Sequence, residues 1–389
     1  MADGAILVMN AGSSSIKLAL YRLRDGALVQ AWRGALEEMR AAPHFRAAAA
    51  DGSTIADERP DIAPDEATAW VVDWIDDHIG SATLLACGHR VVHGGTSHAE
   101  PIVLDDSAIT DLRALVPLAP LHQPVNLAPI DAIRAARPHL PQVACFDTAF
   151  HRGHDPVVDT YALPHRYFEA GVRRYGFHGL SYDYIASQLP VAAPRLAKGK
   201  TVVAHLGNGA SLCALDGGRS VDTTMGFTAL DGLPMGTRTG QIDPGVLLYL
   251  MEHEGLSLPE LTDLLYRQSG LKGLSGLSSD MRTLIDSQDA QAQSAVAVFV
   301  HQIAKQTAAL AGTLGGIDGM VFTAGIGEHQ PKIRAAVLKK LDWLGFRLDV
   351  AANDAGGPML TTAESSAAAF VIATDEERVI ADQTLKAIS

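Results

Sequence analysis

Two arginines stand in glycine-bounded segments where no hydrophobic core requires them. Arg90 lies in the short apolar run "GHRVVHGG", which ends in two glycines, and Arg238 sits between glycines in "MGTRTG". The planar fork of a guanidinium matches a carboxylate or a phosphate with parallel hydrogen bonds, so both sites are suited to gripping an anion. An ordinary surface salt bridge accounts for a single arginine equally well. Asp147 closes a strand-like run in "CFDTAFH", and His178 occupies the aromatic, glycine-bounded segment "RRYGFHGLS". His89 and His93 are four residues apart on a strand, with no third ligand near them, so the spacing does not make a zinc site.

Glycine-rich turns supply a second kind of chemistry. In "ILVMNAGSSSIKLALY", Ile6 to Tyr21, an apolar strand runs into small polar residues and returns as another strand. Backbone N–H groups on such a turn are unobstructed and suit phosphate oxygens, with the serine hydroxyls and Lys17 in reach. A plain tight turn uses the same residues. The same plan returns in "TVVAHLGNGASLCALDGG", Thr201 to Gly218. Superposing Gly12 on Gly207 aligns Val8 with Val203, Ala19 with Ala214 and Leu20 with Leu215. A third segment, "VFTAGIGEHQP", places Gly325 and Gly327 in a turn between a strand and a helix that Pro331 opens. Neither the Walker pattern nor a Rossmann fingerprint occurs near the start, so these turns belong to another class of phosphate grip.

The elements that carry these residues alternate between strand and helix, which predicts an α/β or mixed class. Ser257-Leu258-Pro259 opens a helix that Gly270 is expected to close. From Gln291 to Leu314 the residues Val296, Phe299, Val300, Ile303, Thr307, Leu310 and Leu314 form one stripe of a long packed helix, and from Pro331 Ile333, Val337, Leu341 and Leu344 form another. Ala35 to Pro64 is the least patterned stretch and reads as surface loops or a small excursion. The echo between the two hairpins predicts two copies of one domain plan, with a boundary near residue 150.

The 389 residues are enough for two or three domains, and 47% hydrophobic with 19% charged residues is a globular composition. A net charge of −13 speaks against nucleic acid or an anionic membrane as partner. Cys87, Cys145 and Cys213 are far apart and read as buried thiols of a reducing compartment. The first ten residues contain no basic side chain, and no apolar run approaches membrane-spanning length, so the expected location is the cytoplasm.

The segments "NAGSSSIK", "GHRVVHGG", "FDTAFH", "RRYGFHG", "HLGNGAS", "MGTRTG", "SSDMR", "FTAGIGE" and "TDEE" follow one another in the order seen in acetate kinases. By these motifs, from Ile6 to about Thr384, the chain resembles the acetokinase family of the acetate and sugar kinase, chaperone ATPase and actin superfamily. The resemblance implies two duplicated actin-like (ribonuclease H-like) α/β domains around a nucleotide cleft. Residues 1–149 would form the acyl-substrate domain, with 376–389 returning to it, and 150–375 the domain for nucleotide binding and dimerisation. It implies ATP and acetate as substrates, magnesium (or manganese) as metal, and a homodimer.

By position, Asn10 and Glu376 resemble the metal-site residues, with Glu377 as the alternative to Glu376. Lys17, the turn His205, Leu206, Gly207, Asn208 and Gly209, the segment Asp280, Met281 and Arg282, and the segment Gly325, Ile326, Gly327, Glu328 and His329 resemble ATP-binding segments. Arg90 looks like the residue that grips the acyl substrate, with Val92, Leu121 and Phe177 as its apolar pocket. His178 and Arg238 look like transition-state stabilisers. Asp147 matches the position assigned to proton transfer, but a carboxylic acid of pKa roughly 4–5 is already ionised at neutral pH. Asp147 is therefore expected to orient Arg238 or a magnesium-bound water. Ala229 stands where the family usually carries proline beside the methyl pocket, a departure that makes propionate or another short carboxylate the alternative substrate. A nucleotide-dependent clamp needs neither Arg90 nor His178, and a sugar kinase needs a base beside a hydroxyl and a larger polar pocket.

Overall fold

In the computed structural model, which describes residues 4–12, 15–39, 42–80, 83–120 and 122–389, the opening apolar run forms strand β1 (Gly4–Ala11), buried along its whole length. A strand of this kind needs cover on both faces. Ala5, Leu7, Met9 and Ala11 join Val71, Trp74 and Ile75 of the helix Ala67–His78 and Ile133 of the helix Gln123–Ala136 in one core. The C-terminal helix Glu376–Ile388 packs on the opposite face. Gly88 makes that approach feasible, since a Cβ there would lie 2.1 Å from Thr384 Oγ1.

The chain divides into two compact units, Met1–Ala149 with Asp375–Ser389, and Phe150–Thr374. The first holds eight strands: β1, β2 (Ile16–Arg24), β3 (Ala27–Glu37), β4 (His44–Ala49), β5 (Thr54–Glu58), β6 (Thr83–Val91), β7 (Ile102–Val103) and β8 (Gln142–Phe146), in the order β5-β4-β3-β2-β1-β6-β8-β7. The second holds β9 (Lys200–Leu206), β10 (Ala210–Asp216), β11 (Arg219–Thr223), β12 (Gly319–Thr323) and β13 (Ala368–Val371), in the order β11-β10-β9-β12-β13. The duplication is explicit in the topology. The run β3-β2-β1-β6-β8 repeats as β11-β10-β9-β12-β13, with the first three strands antiparallel and the last two added in parallel. The hairpins match as well: Asp25-Gly26 and Gly217-Gly218 all take positive φ, the turn that suits strand twist.

The structure corrects four details of the sequence reading. Ala11 pairs with Ile16 across Gly12 to Ser15, whereas Leu206 pairs with Ala210 across Gly207 to Gly209, so the first turn is one residue longer. Val8 therefore faces Ala19 while Val203 faces Cys213, and the alignment of Ala19 with Ala214 slips by one. The stretch from Ala35 to Pro64 is not loop but the antiparallel ladder of β3, β4 and β5, whose Phe45, Ala47 and Ala56 join the core. Alanine is a weak strand former, which hid the alternation. Gly270 does not close the helix opened at Ser257: Leu258–Asp263 widens into a π-turn at Leu264–Gln268, and Gly270 begins the next helix, Gly270–Ser275. Finally, Gly325 and Gly327 lie inside a short helix, Ala324–His329, and the left-handed residue that starts it is Ala324 at φ +63°.

Candidate functional site

In each unit the candidate residues gather at the carboxyl ends of the parallel strands, the edge where open α/β sheets bind ligands. In the first unit, Asn10 and Arg90 are the penultimate residues of β1 and β6, and Asp147 follows β8. Parallel register sets Arg90 opposite Cys145, and the Asp147 N–H donates to the Val91 carbonyl at 3.1 Å. Arg90 Nε and Nη2 both donate to Asp147 Oδ2, at 2.9 and 2.5 Å, with side chains 16% and 1% exposed. Burial opposes the charge on Arg90, but Asp147, Glu376 and Glu377 outweigh it and raise the guanidinium pKa. The carboxylate of Asp147 is thus a partner of Arg90.

Glu376 and Glu377 begin the C-terminal helix, whose N-cap Asp375 accepts from the Arg378 N–H. Asn10 Nδ2 donates to Glu376 Oε2 at 3.0 Å and to Glu377 Oε1 at 2.7 Å, so both acids converge on it. Lys17 lies across the β1–β2 ladder from Asn10. Glu377 raises the Lys17 pKa, while burial pushes the Glu377 carboxyl up against the opposing pull of Lys17. Val92 is buried, and its N–H donates to Asn126 Oδ1 at 2.8 Å. Asn126 Nδ2 in turn donates to the Ala11 carbonyl at 2.6 Å, tying the end of β1 to the Arg90 segment. Leu121 lies outside the described residues.

The second unit gathers the other set around the β9–β10 turn. A Cβ at Gly209 would lie 3.1 Å from His178 Nε2 and 4.0 Å from Arg238 Nη1, so both side chains rest against that glycine. His178 takes the left-handed conformation, φ +58°, just before the helix Gly179–Ala192. Its Nδ1 pairs with Ser211 Oγ at 2.8 Å, and its ring stacks on His205 with centroids 4.1 Å apart. His205 is the penultimate residue of β9, and Ser181 Oγ holds its Nδ1 at 2.8 Å. Leu206 is buried, and the Asn208 carbonyl accepts from the Gly236 N–H. Arg238 Nη1 donates to the Ala229 carbonyl at 3.0 Å. The helix Ala324–His329 follows β12, and Ala324 Cβ lies 3.7 Å from a Cβ built on Gly207, which brings Gly325 to His329 beside the turn.

Phe177 is buried, and its carbonyl accepts from His151 Nε2 at 3.0 Å. That bond fixes the tautomer, so His151 Nδ1 accepts from the Ser220 hydroxyl at 2.8 Å. Burial, then His154, lower the His151 pKa to about 3. Asp280 caps the helix Met281–Asp286, accepting from the Arg282 N–H, and its carboxylate pairs with the Arg282 guanidinium. Met281 is buried. This segment pairs within itself, in contrast to the groups around Gly209. Asn126, Ser211, Ser181 and His151 were not singled out from the sequence, because each acts through a neighbour that only the folded register supplies.

The chain matches the family model described as the acetokinase family over residues 5–382. It is 50% identical over 386 residues to an acetate kinase of Nitrobacter hamburgensis, covering 98% of this chain and 95% of that protein. To an acetate kinase of Methylocella silvestris it is 49% identical over 392 residues, covering 98% and 97%. Among solved structures, a propionate kinase from Francisella tularensis aligns with a TM-score of 0.88 at 35% identity, covering 98% of this chain and 99% of that one. Porphyromonas gingivalis acetate kinase aligns at 0.85 and 33%, covering 99% and 100%.

Proposed function

Because this chain belongs to the acetokinase family, we infer that it transfers the γ-phosphoryl group of ATP to acetate, reversibly, giving acetyl phosphate and ADP. The observation that carries the reading is the Arg90 fork locked on buried Asp147, a cation set for an anionic acceptor rather than for a sugar hydroxyl. Bringing a carboxylate to a charged phosphoryl group is the main barrier, so catalysis is positioning and charge neutralisation. Asp147 occupies Nε and Nη2 of Arg90, which leaves Nη1 to hold acetate beside Val92. Acetate has no proton to lose, and Asp147 serves as a positioning carboxylate, not a base. His178, turned toward Gly209 by its bond to Ser211, and Arg238 donate to the transferring oxygens.

Asn10, Glu376 and Glu377 offer the hard oxygen donors a magnesium ion takes, and their convergence fits such an ion. Among the described residues no three His, Cys, Asp or Glu side chains form a protein-only cage, and Asn10, Glu376 and Glu377 are the residues that would hold the ion. When bound, magnesium neutralises phosphate charge. The first unit serves as the acyl-substrate domain and the second as the nucleotide and dimerisation domain. Support for self-association lies in the helix Pro244–His253, an apolar segment with no buried residue, on which Leu248 and Tyr249 are 66% and 54% exposed. Among the described residues no helix is long and apolar enough to cross a membrane, and three buried free thiols support the cytoplasm as compartment.

Acetate is favoured over propionate because the curated relatives near half identity are acetate kinases. Purified protein given ATP, magnesium and, separately, acetate, propionate, butyrate or glucose tests the assignment. Acyl hydroxamate is expected most efficiently from acetate. Phosphorylation of glucose with no hydroxamate from any acid overturns it.

A further inference from the structure

The second unit buries a full positive charge that, among the described residues, no carboxylate pairs with. Arg334, in the helix Pro331–Lys340, is 1% exposed. Among the described residues it forms no ion pair, and all its hydrogen bonds go to neutral oxygens. Nε donates to Asn353 Oδ1 at 2.9 Å and Nη2 to the Asn353 carbonyl at 2.7 Å. Nη1 donates to the carbonyls of Gly327 at 3.0 Å and Glu328 at 2.7 Å. Asn353 is equally buried, and its Nδ2 donates to the Pro331 carbonyl at 3.0 Å, so the acceptor is itself fixed.

Filling space does not require this group, because an apolar side chain packs there without the desolvation cost of a charge. Desolvation indeed lowers the Arg334 pKa, with only Asp354 opposing it. What the guanidinium alone supplies is a rigid fork of donors for two consecutive carbonyls at the end of the helix Ala324–His329, which that helix leaves without intrahelical partners. The opposite end is held as well. Glu328 Oε1 accepts from the N–H of left-handed Ala324 at 2.8 Å and from the Thr374 N–H at 3.3 Å. Both termini of a six-residue helix are thereby pinned, and its orientation is set from behind by Arg334.

We propose that Arg334 is a positioning residue for the nucleotide: by holding the Gly327 and Glu328 carbonyls it fixes the Gly325–His329 segment against which ATP and ADP bind. The inference rests on the acetokinase reading of that segment. Arg334→Lys keeps the charge but cannot span Asn353 and both carbonyls, and Asn353→Ala removes one anchor while leaving the helix contacts. Calorimetric titration with magnesium and ADP is expected to show binding weakened by about tenfold in each variant, the loss that follows misplacing a charge-assisted contact. The acetate KM is expected to stay at the wild-type value, a split that general destabilisation does not produce. Wild-type ADP affinity in either folded variant overturns the proposal. Loss of the wild-type circular dichroism spectrum in both assigns Arg334 to folding alone and overturns it too. Failure of the family reading looks different: the wild-type protein itself would form no acetyl hydroxamate.

Discussion

A single oxygen, Oδ2 of Asp147, takes two hydrogen bonds from Arg90, and the proposed substrate class rests on this pair. The sequence exposes both residues but not their bond. They are 57 positions apart, and only the β6–β8 register brings them side by side. Arg90, His178 and Arg238 stand out in the sequence because arginine and histidine in glycine-bounded segments have no packing role that the sequence explains. Asn126 was not legible, since an asparagine inside a helix carries no signal of the two backbone groups it joins. Replacing Asp147 with Asn frees the fork from its anchor and is expected to raise the acetate KM by about tenfold with ATP KM unchanged. Loss of a basic limb from the pH–rate profile in that variant, with both KM values intact, would restore a proton-transfer role.

At the level of elements, the duplicated hairpins were readable because an apolar run, a small-residue turn and a returning strand survive as a pattern. What failed were local boundaries. The β3–β5 ladder escaped because weak strand formers such as Ala47 and Ala56 take inward positions in it, and the helix Ala324–His329 escaped because glycines usually signal a turn. The segment before His178 is held by His151, whose folded pKa of about 3 lies below the ordinary 6.5. Buried His89 follows the same rule at about 4, driven by desolvation. Between those values and 6.5 the unfolded chain binds more protons than the folded one, so stability rises with pH across the window and drains away as pH falls through it. The melting temperature is expected to drop between about pH 7 and about pH 5, and to drop less in His151→Gln. A flat profile there contradicts the burial of neutral imidazoles.

For the whole molecule, two copies of one sheet order each place their candidate residues at the same strand edge, so the duplication of fold is also a duplication of site plan. The helix Pro244–His253 adds an apolar surface that a lone chain leaves exposed. For the proposed homodimer, Leu248→Asp is expected to shift sedimentation from dimer to monomer, and a dimer that persists would place the interface elsewhere. In the proposed reaction a carboxylate oxygen of acetate forms the new bond to the terminal phosphorus of ATP. Acetate labelled with oxygen-18 in its carboxylate, followed by phosphorus NMR of the acetyl phosphate formed, reads this bond. An isotope-shifted phosphorus signal, with the label in the bridge to carbon, is expected. A phosphorus signal without the shift contradicts it.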